Sequence, residues 1–211
     1  MNTFVLTCKS SKDRLETLEE RLNKGGIYEY RIFNAMEYSE DSDRIIKLIG
    51  NGEEWFNCSL MKNEKKIKAR KSVYLSHLSI LAYCMDNDIN EVLVLEDDII
   101  FKDIDITEEL KNIPNDCFIT TFDRTWLRGK DFPQKSGFWK IGKGLECWAL
   151  GCYYCTDVNR LFNYLTKQRP KVIDKLYVEL YQKSGDCYLY FDSIKTIKQN
   201  RSMFDSTIDV K

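Results

Sequence analysis

The sequence of 211 residues lacks the features of an exported, membrane-embedded or nucleic-acid-binding protein. No stretch approaches the roughly 20 consecutive apolar residues of a membrane span. The N-terminus passes from a short apolar run into charged residues, without signal-peptide architecture. Lys and Arg number 32 against 33 Asp and Glu, whereas a dedicated nucleic-acid binder would carry a basic excess. We therefore expect a cytoplasmic protein with no membrane span and no nucleic-acid partner, and its many Lys, Asn and Ile residues are typical of a microbial or viral genome rich in A and T.

Histidine is scarce, and this limits the kinds of metal site that the chain can form. The chain has eight cysteines but a single histidine, His77. In a reducing compartment the cysteines should be free thiols. The grouping of Cys147, Cys152 and Cys155 suits small buried hydrophobic residues better than a zinc site. The single histidine also counts against a metal-dependent phosphodiesterase, because such enzymes usually recruit several.

The apolar pattern at the start of the chain predicts the strand–helix–strand opening of an α/β domain. Residues 4–6 form a short apolar run, and residues 14–24 place leucines at helical spacing before Gly25-Gly26. Residues 28–33 then alternate like a second strand. We expect one domain over residues 1–211, with a central mixed, mostly parallel sheet flanked by helices.

Further elements follow from the same patterns. Residues 73–85 carry one apolar helix face, and Val92–Leu95 is a continuous apolar run typical of a central strand buried on both faces. We predict helices at 156–165 and 172–181, strands at 118–122, 147–154 and 187–191, a loop at 129–144, and a helix together with a long loop within 36–70.

Three adjacent carboxylates, Glu96-Asp97-Asp98, follow the predicted central strand. They repel one another, and a divalent cation such as Mg²⁺ or Mn²⁺ would relieve that repulsion through oxygen ligands. Because side chains alternate along extended backbone, Glu96 and Asp98 should point to one side and Asp97 to the other. Ligands of open α/β sheets bind beyond the carboxyl ends of the strands. The alternative is an acidic turn exposed to solvent.

A family resemblance adds to this interpretation. Ser76-His77 followed by Val92–Asp98 resembles the "SH … VLEDD" signature of glycosyltransferase family 25. That family includes lipooligosaccharide and collagen hydroxylysine galactosyltransferases. Weaker matches follow in the family's order at Val5-Leu6-Thr7 with Asp13-Arg14, at 33–36 (without the family's glycine), at 149–165, at Val172-Ile173-Asp174 and from Gln199 to Ile208.

The resemblance implies a glycosyltransferase of GT-A fold with a nucleotide-sugar donor. Glu96 and Asp98 take the first and third places of the family's metal-binding DxD motif and would hold Mn²⁺ or Mg²⁺ against the donor diphosphate. The family's known members use UDP-sugars and invert the anomeric centre, and the acceptor would be a glycan or glycoprotein hydroxyl. Residues from about 1–100 would form the donor half of the domain and those from about 101–211 the acceptor half.

Other residues are candidates for contacts with the donor. Thr7 and Cys8 lie where a GT-A protein holds the nucleoside, and Arg14 and Lys71 are candidates for the diphosphate. The structural alternative for His77 is a core residue, and the structural alternative for Arg14 is a surface residue exposed to solvent. The candidates for donor binding are Thr7, Cys8, Arg14, Lys71, His77 and Asp97.

Asp174 is the candidate general base, since it falls at the family's "pvD" position and an inverting transfer needs one carboxylate to take the acceptor proton. Its alternative role is a helix N-cap. Asp192 and Glu146 are the reserve candidates. Trp126, Trp139 and Trp148 are candidates for an acceptor platform. The rival functions are a metal-dependent phosphodiesterase and a non-catalytic nucleotide-sugar-binding or sugar-binding homologue.

Overall fold

The computed structural model describes residues 1–8, 12–50, 63–122, 127–129, 135–143, 145–147, 151–192 and 197–199, with only the backbone at 127–129, 198 and 199. The helices are α1 Lys12–Glu16, α2 Leu18–Asn23, α3 Glu40–Ile49, α4 Glu64–Asp86, α5 Ile106–Leu110, α6 Val158–Lys167 and α7 Ile173–Ser184. The strands are β1 Asn2–Thr7, β2 Arg31–Asn34, β3 Val92–Glu96, β4 Ile99–Phe101, β5 Ile119–Thr121, β6 Leu127–Gly129, β7 Gly137–Lys140, β8 Leu145–Cys147, β9 Cys152–Cys155, β10 Cys187–Phe191 and β11 Ile197–Gln199.

A seven-stranded sheet in the order β2-β1-β3-β9-β5-β10-β7 organises the molecule. β1 pairs parallel with β2 and β3, and β5 pairs parallel with β10. β9 runs antiparallel between β3 and β5, and β7 runs antiparallel at one side. Five of the seven strands thus point the same way, which confirms the predicted mixed, mostly parallel α/β sheet. Two short pairs, β4 with β11 and β6 with β8, lie outside it.

The opening unit folds as predicted, with one difference inside its helix. β1 and β2 pair parallel, but Thr17 interrupts the predicted single helix and divides it into α1 and α2. The helix ends before Gly26, whose φ of 72° lies in the left-handed region that favours glycine. A Cβ atom at Gly26 would also lie 2.1 Å from Oδ1 of Asp105, so a larger residue there would force the two apart.

Helix α4 begins nine residues before the predicted helix start at Val73. Its first turns carry charged residues without apolar periodicity, which is why the pattern missed them. The side chain of Asn63 caps the helix by accepting a hydrogen bond from the Lys65 amide, and Glu64 and Lys68 form an i,i+4 ion pair at 2.6 Å. α3 confirms the helix predicted within 36–70, and a capping box between Ser39 and Ser42 stabilises its N-terminus.

Two hydrophobic cores cover the two faces of the sheet. The larger packs α3, α4, α6 and α7 against side chains such as Val92 and Val94, and the smaller packs α2, β4 and α5 against Leu93 and Leu95. Alternate residues of β3 therefore serve opposite cores, and all four are fully buried. This confirms β3 as a strand covered on both faces.

The predicted loop at 129–144 is partly wrong, because β7 forms the antiparallel side strand of the sheet there. The seven cysteines within the described residues are free thiols, as expected. In the same part of the chain, no helix is both long and apolar enough to cross a membrane.

Candidate functional site

Several predicted site residues meet at the end of the sheet where β1, β3, β5 and β10 finish, called here the carboxyl end. Leu6 of β1 pairs with Glu96 of β3, so Thr7 and Asp97 follow side by side. The amide of Asp97 donates to the carbonyl of Leu6 at 3.1 Å and extends this pairing by one residue. Phe191 ends β10 and Asp192 follows it at the same end of the sheet.

Asp97 is held by two side chains of the opening unit. Thr7 Oγ1 donates to Asp97 Oδ2 at 2.7 Å, and Arg14 Nη1 donates to Asp97 Oδ1 at 2.6 Å. The side chains of Arg14 and Asp97 are only 8% and 5% exposed. Burial alone would lower the pKa of Arg14, but the hydrogen bond and charge of Asp97, with smaller contributions from Asp98 and Asp13, raise it. Arg14 is thus a buried structural cation in this structure rather than a surface residue.

Arg21 is a second buried guanidinium at this end of the sheet, and the sequence analysis did not single it out. Its Nη1 donates to the carbonyl of Ile99 and its Nη2 to the carbonyl of Arg14, both at 2.7 Å. It therefore ties the start of β4 to helix α1. Burial lowers the pKa of Arg21, while the charges of Asp97 and Asp98 act in the opposite direction.

Glu96 continues the α4 side of β3 and lies against His77. Nε2 of His77 is 3.8 Å from Oε1 of Glu96, and the Glu96 side chain keeps 25% of its surface exposed. His77 itself is fully buried, and its Nδ1 lies 3.2 Å from the hydroxyl of Tyr153 on β9. The contact places His77 beside the acidic segment.

Asp98 departs from the simple alternation that the sequence analysis assumed. β3 ends at Glu96, and Asp97 and Asp98 form the turn into β4. Alternation holds for Glu96 and Asp97, which face opposite layers, but it does not apply within a turn. The Asp98 carboxylate acts on Arg14 and Arg21, as Asp97 does. Alternation therefore gives no direction for Asp98, and its place on the same side as Glu96 stays a prediction.

Three carboxylates, Glu96, Asp97 and Asp98, meet two guanidinium groups, so the five side chains together carry a net negative charge. Among the described residues, no three His, Cys, Asp or Glu side chains converge as a complete metal site. Mg²⁺ is commonly bound by one or two carboxylates together with phosphate oxygens of a substrate. A cation held by Glu96 and Asp98 stays a prediction.

Lys71, a candidate for the diphosphate, forms an ion pair between two helices. Its Nζ donates to Oδ1 of Asp43 on α3 at 2.7 Å, and its side chain is 7% exposed. Tyr38 donates to the other oxygen of Asp43 at 2.8 Å. This contact joins α4 to α3, and a role for Lys71 at the diphosphate stays a prediction. Cys8 lies half-buried just past β1, and its predicted backbone contact with a nucleoside also stays a prediction.

Asp174 lies in the first turn of α7, whose N-cap is Val172. The alternative role of Asp174 as the N-cap is therefore wrong, although its charge suits the first turn of a helix. Because α7 leads by a short turn into the start of β10, the N-terminus of α7 lies toward the carboxyl end of the sheet. Asp192 lies at that end directly, and Glu146 lies on β8, which packs against α7.

The aromatic candidates are only partly described. Trp139 lies on β7, is 39% exposed and donates from Nε1 to the carbonyl of Lys135. Trp126 and Trp148 lie outside the described residues. On the β10 side, Phe138 packs against Phe122 and Tyr190 with ring centroids 6.1 and 5.2 Å away.

Two residues of the site had no clear signal in the sequence. Arg21 lies on α2 and Arg14 on α1, and the break at Thr17 means that no single helical periodicity links the two cations. Tyr153 was hidden because its contact with His77 requires β9 to lie next to β3, a pairing between segments about 60 residues apart.

The comparisons with known proteins agree with this architecture. Residues 1–135 match the family described as "Glycosyltransferase family 25 (LPS biosynthesis protein)". The structure resembles apo xyloside xylosyltransferase 1 of mouse, with a TM-score of 0.53, 10% identity and coverage of 97% of this chain and 86% of that one. A197 from STIV gives a TM-score of 0.47 at 14% identity, with coverage of 92% and 87% of the two chains. The glycosyltransferase GlyE of Streptococcus pneumoniae gives a TM-score of 0.46 at 13% identity, with coverage of 88% of this chain and 44% of that one. No curated protein matches the sequence.

Proposed function

Since this chain belongs to glycosyltransferase family 25 and is a glycosyltransferase, we propose that it transfers sugar from a UDP-sugar held through Mn²⁺ or Mg²⁺. The proposed acceptor is a hydroxyl of a glycan or glycoprotein, and the proposed transfer inverts the anomeric centre. The observation that carries the metal proposal is the position of Glu96 and Asp98 at the carboxyl end of the sheet, beside an Asp97 that Arg14 already neutralises.

The three carboxylates differ in their partners and exposure, and this difference supports the proposal. Asp97 accepts hydrogen bonds from Thr7 and Arg14 and so fixes the turn to β1 and α1. Its charge is balanced within the protein, whereas Glu96 remains partly exposed at the end of the strand. A cation bound by Glu96 and Asp98 would stabilise the negative charge that develops on the departing diphosphate.

We infer that the general base, which accepts the proton of the acceptor hydroxyl, is a carboxylate away from the acidic turn. In an inverting transfer the base acts on the face of the sugar opposite the leaving diphosphate. Asp174 lies in the first turn of α7, on a different element from Glu96. We assign the proton to Asp174 and keep Asp192 and Glu146 as the alternatives.

The test is a two-stage screen of the full chain. Thermal unfolding is first followed with a panel of nucleotide-sugars, each with and without Mn²⁺, because a ligand at 100 times its Kd stabilises the native state by about 2.7 kcal/mol. A UDP-sugar that raises the melting temperature only with Mn²⁺ is the expected result. That donor is then incubated with candidate glycan acceptors, and the glycoside product is identified by mass spectrometry.

The rival functions predict different products from the same screen. A hydrolase would release free sugar or sugar phosphate without forming a glycoside. A binding protein would show the thermal shift but neither product across the acceptor panel. GDP binding at least as tightly as UDP in calorimetry with Mn²⁺ would refute the assignment of uridine.

A further inference from the structure

A row of buried polar side chains leads from the acidic segment into the larger core. His77 and Tyr153 are fully buried among leucine, isoleucine and tyrosine side chains. The imidazole lies between two polar groups, the Tyr153 hydroxyl at 3.2 Å from Nδ1 and the Glu96 carboxylate at 3.8 Å from Nε2. A polar ring in such a core is costly unless its nitrogens are satisfied. Each ring nitrogen has one polar neighbour available.

The two neighbours select one tautomer of the neutral ring. Nε2 faces a carboxylate oxygen, which attracts an N–H and repels a lone pair. With the proton on Nε2, Nδ1 carries the lone pair and accepts a hydrogen bond from Tyr153. Burial raises the pKa of Tyr153 well above that of an ordinary tyrosine, so its hydroxyl keeps the proton that it donates. The opposite tautomer would point a lone pair at Glu96.

We propose that Tyr153 and His77 form a positioning relay: the Tyr153 hydroxyl holds His77 as the Nε2–H tautomer, and that N–H orients the Glu96 carboxylate for the cation. The relay rests on the proposed role of Glu96 as a metal ligand. At 3.8 Å the Nε2–Oε1 contact is longer than a hydrogen bond, and a small rotation of the partly exposed Glu96 side chain closes it. Partners of this kind typically change metal affinity by ~10–100-fold when they are removed.

The tautomer can be measured directly, because His77 is the only histidine of the chain. Protein labelled with ¹⁵N at histidine gives one imidazole spin system, and its two-bond ¹H–¹⁵N couplings identify which nitrogen carries the proton. We expect the proton on Nε2 in the full wild-type chain, both alone and with UDP and Mg²⁺. Mg²⁺ is used for NMR because it is diamagnetic.

Two tyrosine variants form a matched pair for the second measurement. Tyr153→Phe removes the hydroxyl that faces Nδ1. Tyr181→Phe removes the hydroxyl of another fully buried tyrosine in the same core, one that has no hydrogen-bond partner among the described residues. We expect Tyr153→Phe to shift the tautomer equilibrium and to weaken Mg²⁺ binding in the presence of UDP by about tenfold. Tyr181→Phe should leave both unchanged.

The outcomes separate the relay from the metal site itself. A wild-type proton on Nδ1 overturns the relay even if Mg²⁺ and UDP bind, and so does a Tyr153→Phe variant with unchanged tautomer and unchanged Mg²⁺ affinity. If the wild-type chain fails to bind UDP with Mg²⁺, the proposed metal site is wrong, and so is the proposal that the relay orients Glu96 for a cation. Circular dichroism melts of both variants show whether a loss of affinity reflects unfolding.

Discussion

Arg14 and Asp97 form an ion pair that the protein has removed almost entirely from solvent. Arg14→Met would leave the buried Asp97 carboxylate without its ion-pair partner, with a hydrogen bond from Thr7 and the charge of Arg21 as its described interactions. Breaking a buried pair by removing one member costs about 3–5 kcal/mol, because an uncompensated charge remains. We therefore expect the free energy of unfolding of Arg14→Met to fall by roughly that amount in urea denaturation.

The exposed pair between Lys24 and Glu20 provides the control for this variant. Lys24→Met removes a cation from the neighbouring helix without burying a charge and should leave the urea midpoint almost unchanged. If Arg14→Met and Lys24→Met were equally stable, the ion pair with Asp97 would not be the structural anchor described here.

Replacing each of the candidate bases Asp174 and Asp192 by asparagine shows which of the two accepts the proton. Asp174→Asn keeps the size of the side chain but cannot accept a proton, so a base at this position predicts a drop in kcat of ~10²–10⁴ with donor affinity preserved. A carboxylate that merely suits the first turn of α7 predicts normal turnover and a loss of only about 0.3–1 kcal/mol in stability. Steady-state kinetics and a thermal melt measure the two quantities.

Asp192→Asn is the parallel variant, since Asp192 follows β10 at the carboxyl end of the sheet. Normal turnover in Asp174→Asn with a large loss in Asp192→Asn would move the base to Asp192. A large loss in both would leave the two carboxylates to be distinguished by the pH profile of kcat.

The sequence predicted residue identities at the site better than residue contacts. Glu96, Asp97 and Asp98 were found because adjacent carboxylates after a buried strand are unusual. The pairing of Arg14 with Asp97 could not be deduced, because it joins residues 83 positions apart and depends on β1 lying beside β3. The direction of the Asp98 side chain could not be predicted by alternation, because β3 ends at Glu96 and Asp98 lies in the turn that follows.

Helices α3 and α4 are joined by the contact between Asp43 and Lys71. Burial alone would raise the pKa of Asp43, but hydrogen bonds from Lys71 and Tyr38 outweigh it and the pKa lies below its ordinary value. A carboxyl with a lowered folded pKa contributes stability above its unfolded pKa of about 3.9 and loses it as the pH falls through the folded value.

Asp43→Asn should therefore lower the free energy of unfolding by about 1 kcal/mol at pH 7, a modest value because Asp43 is partly exposed. The difference from wild type should shrink as the pH falls below about 4, where the wild-type carboxyl becomes protonated. Urea titrations at several pH values measure this. A difference that stayed constant down to pH 3 would show that the charge of Asp43 does not act through Lys71.

Element prediction succeeded where apolar periodicity was strong and failed where charge or short length concealed it. β3 and α6 were found close to their observed bounds, because buried runs and amphipathic faces leave clear patterns. The first nine residues of α4 are stabilised by a cap and an i,i+4 ion pair rather than by an apolar face. β4 and β7 are three and four residues long, too short for a distinctive pattern.

The whole sheet depends on residues beyond the segment that matches the family. The match covers residues 1–135, whereas β9, which separates β3 from β5, comes from residues 152–155. A fragment ending at residue 135 would leave the fully buried strand β3 without its neighbour on one side, with unpaired backbone groups. We expect such a fragment to lack cooperative thermal unfolding and dispersed amide NMR signals. A fragment with a sharp melting transition would show that the first half folds alone.

Calorimetric titration of UDP into the full chain tests the metal site at Glu96 and Asp98 most directly. We expect saturable binding with Mn²⁺, no binding with EDTA, and loss of the Mn²⁺-dependent binding in Asp98→Asn. Asp103→Asn is the matched control, because Asp103 is an exposed aspartate beyond β4 whose backbone conformation asparagine also tolerates. UDP binding that persists in EDTA, or that is as tight in Asp98→Asn as in Asp103→Asn, would show that Glu96 and Asp98 do not hold a cation against the diphosphate.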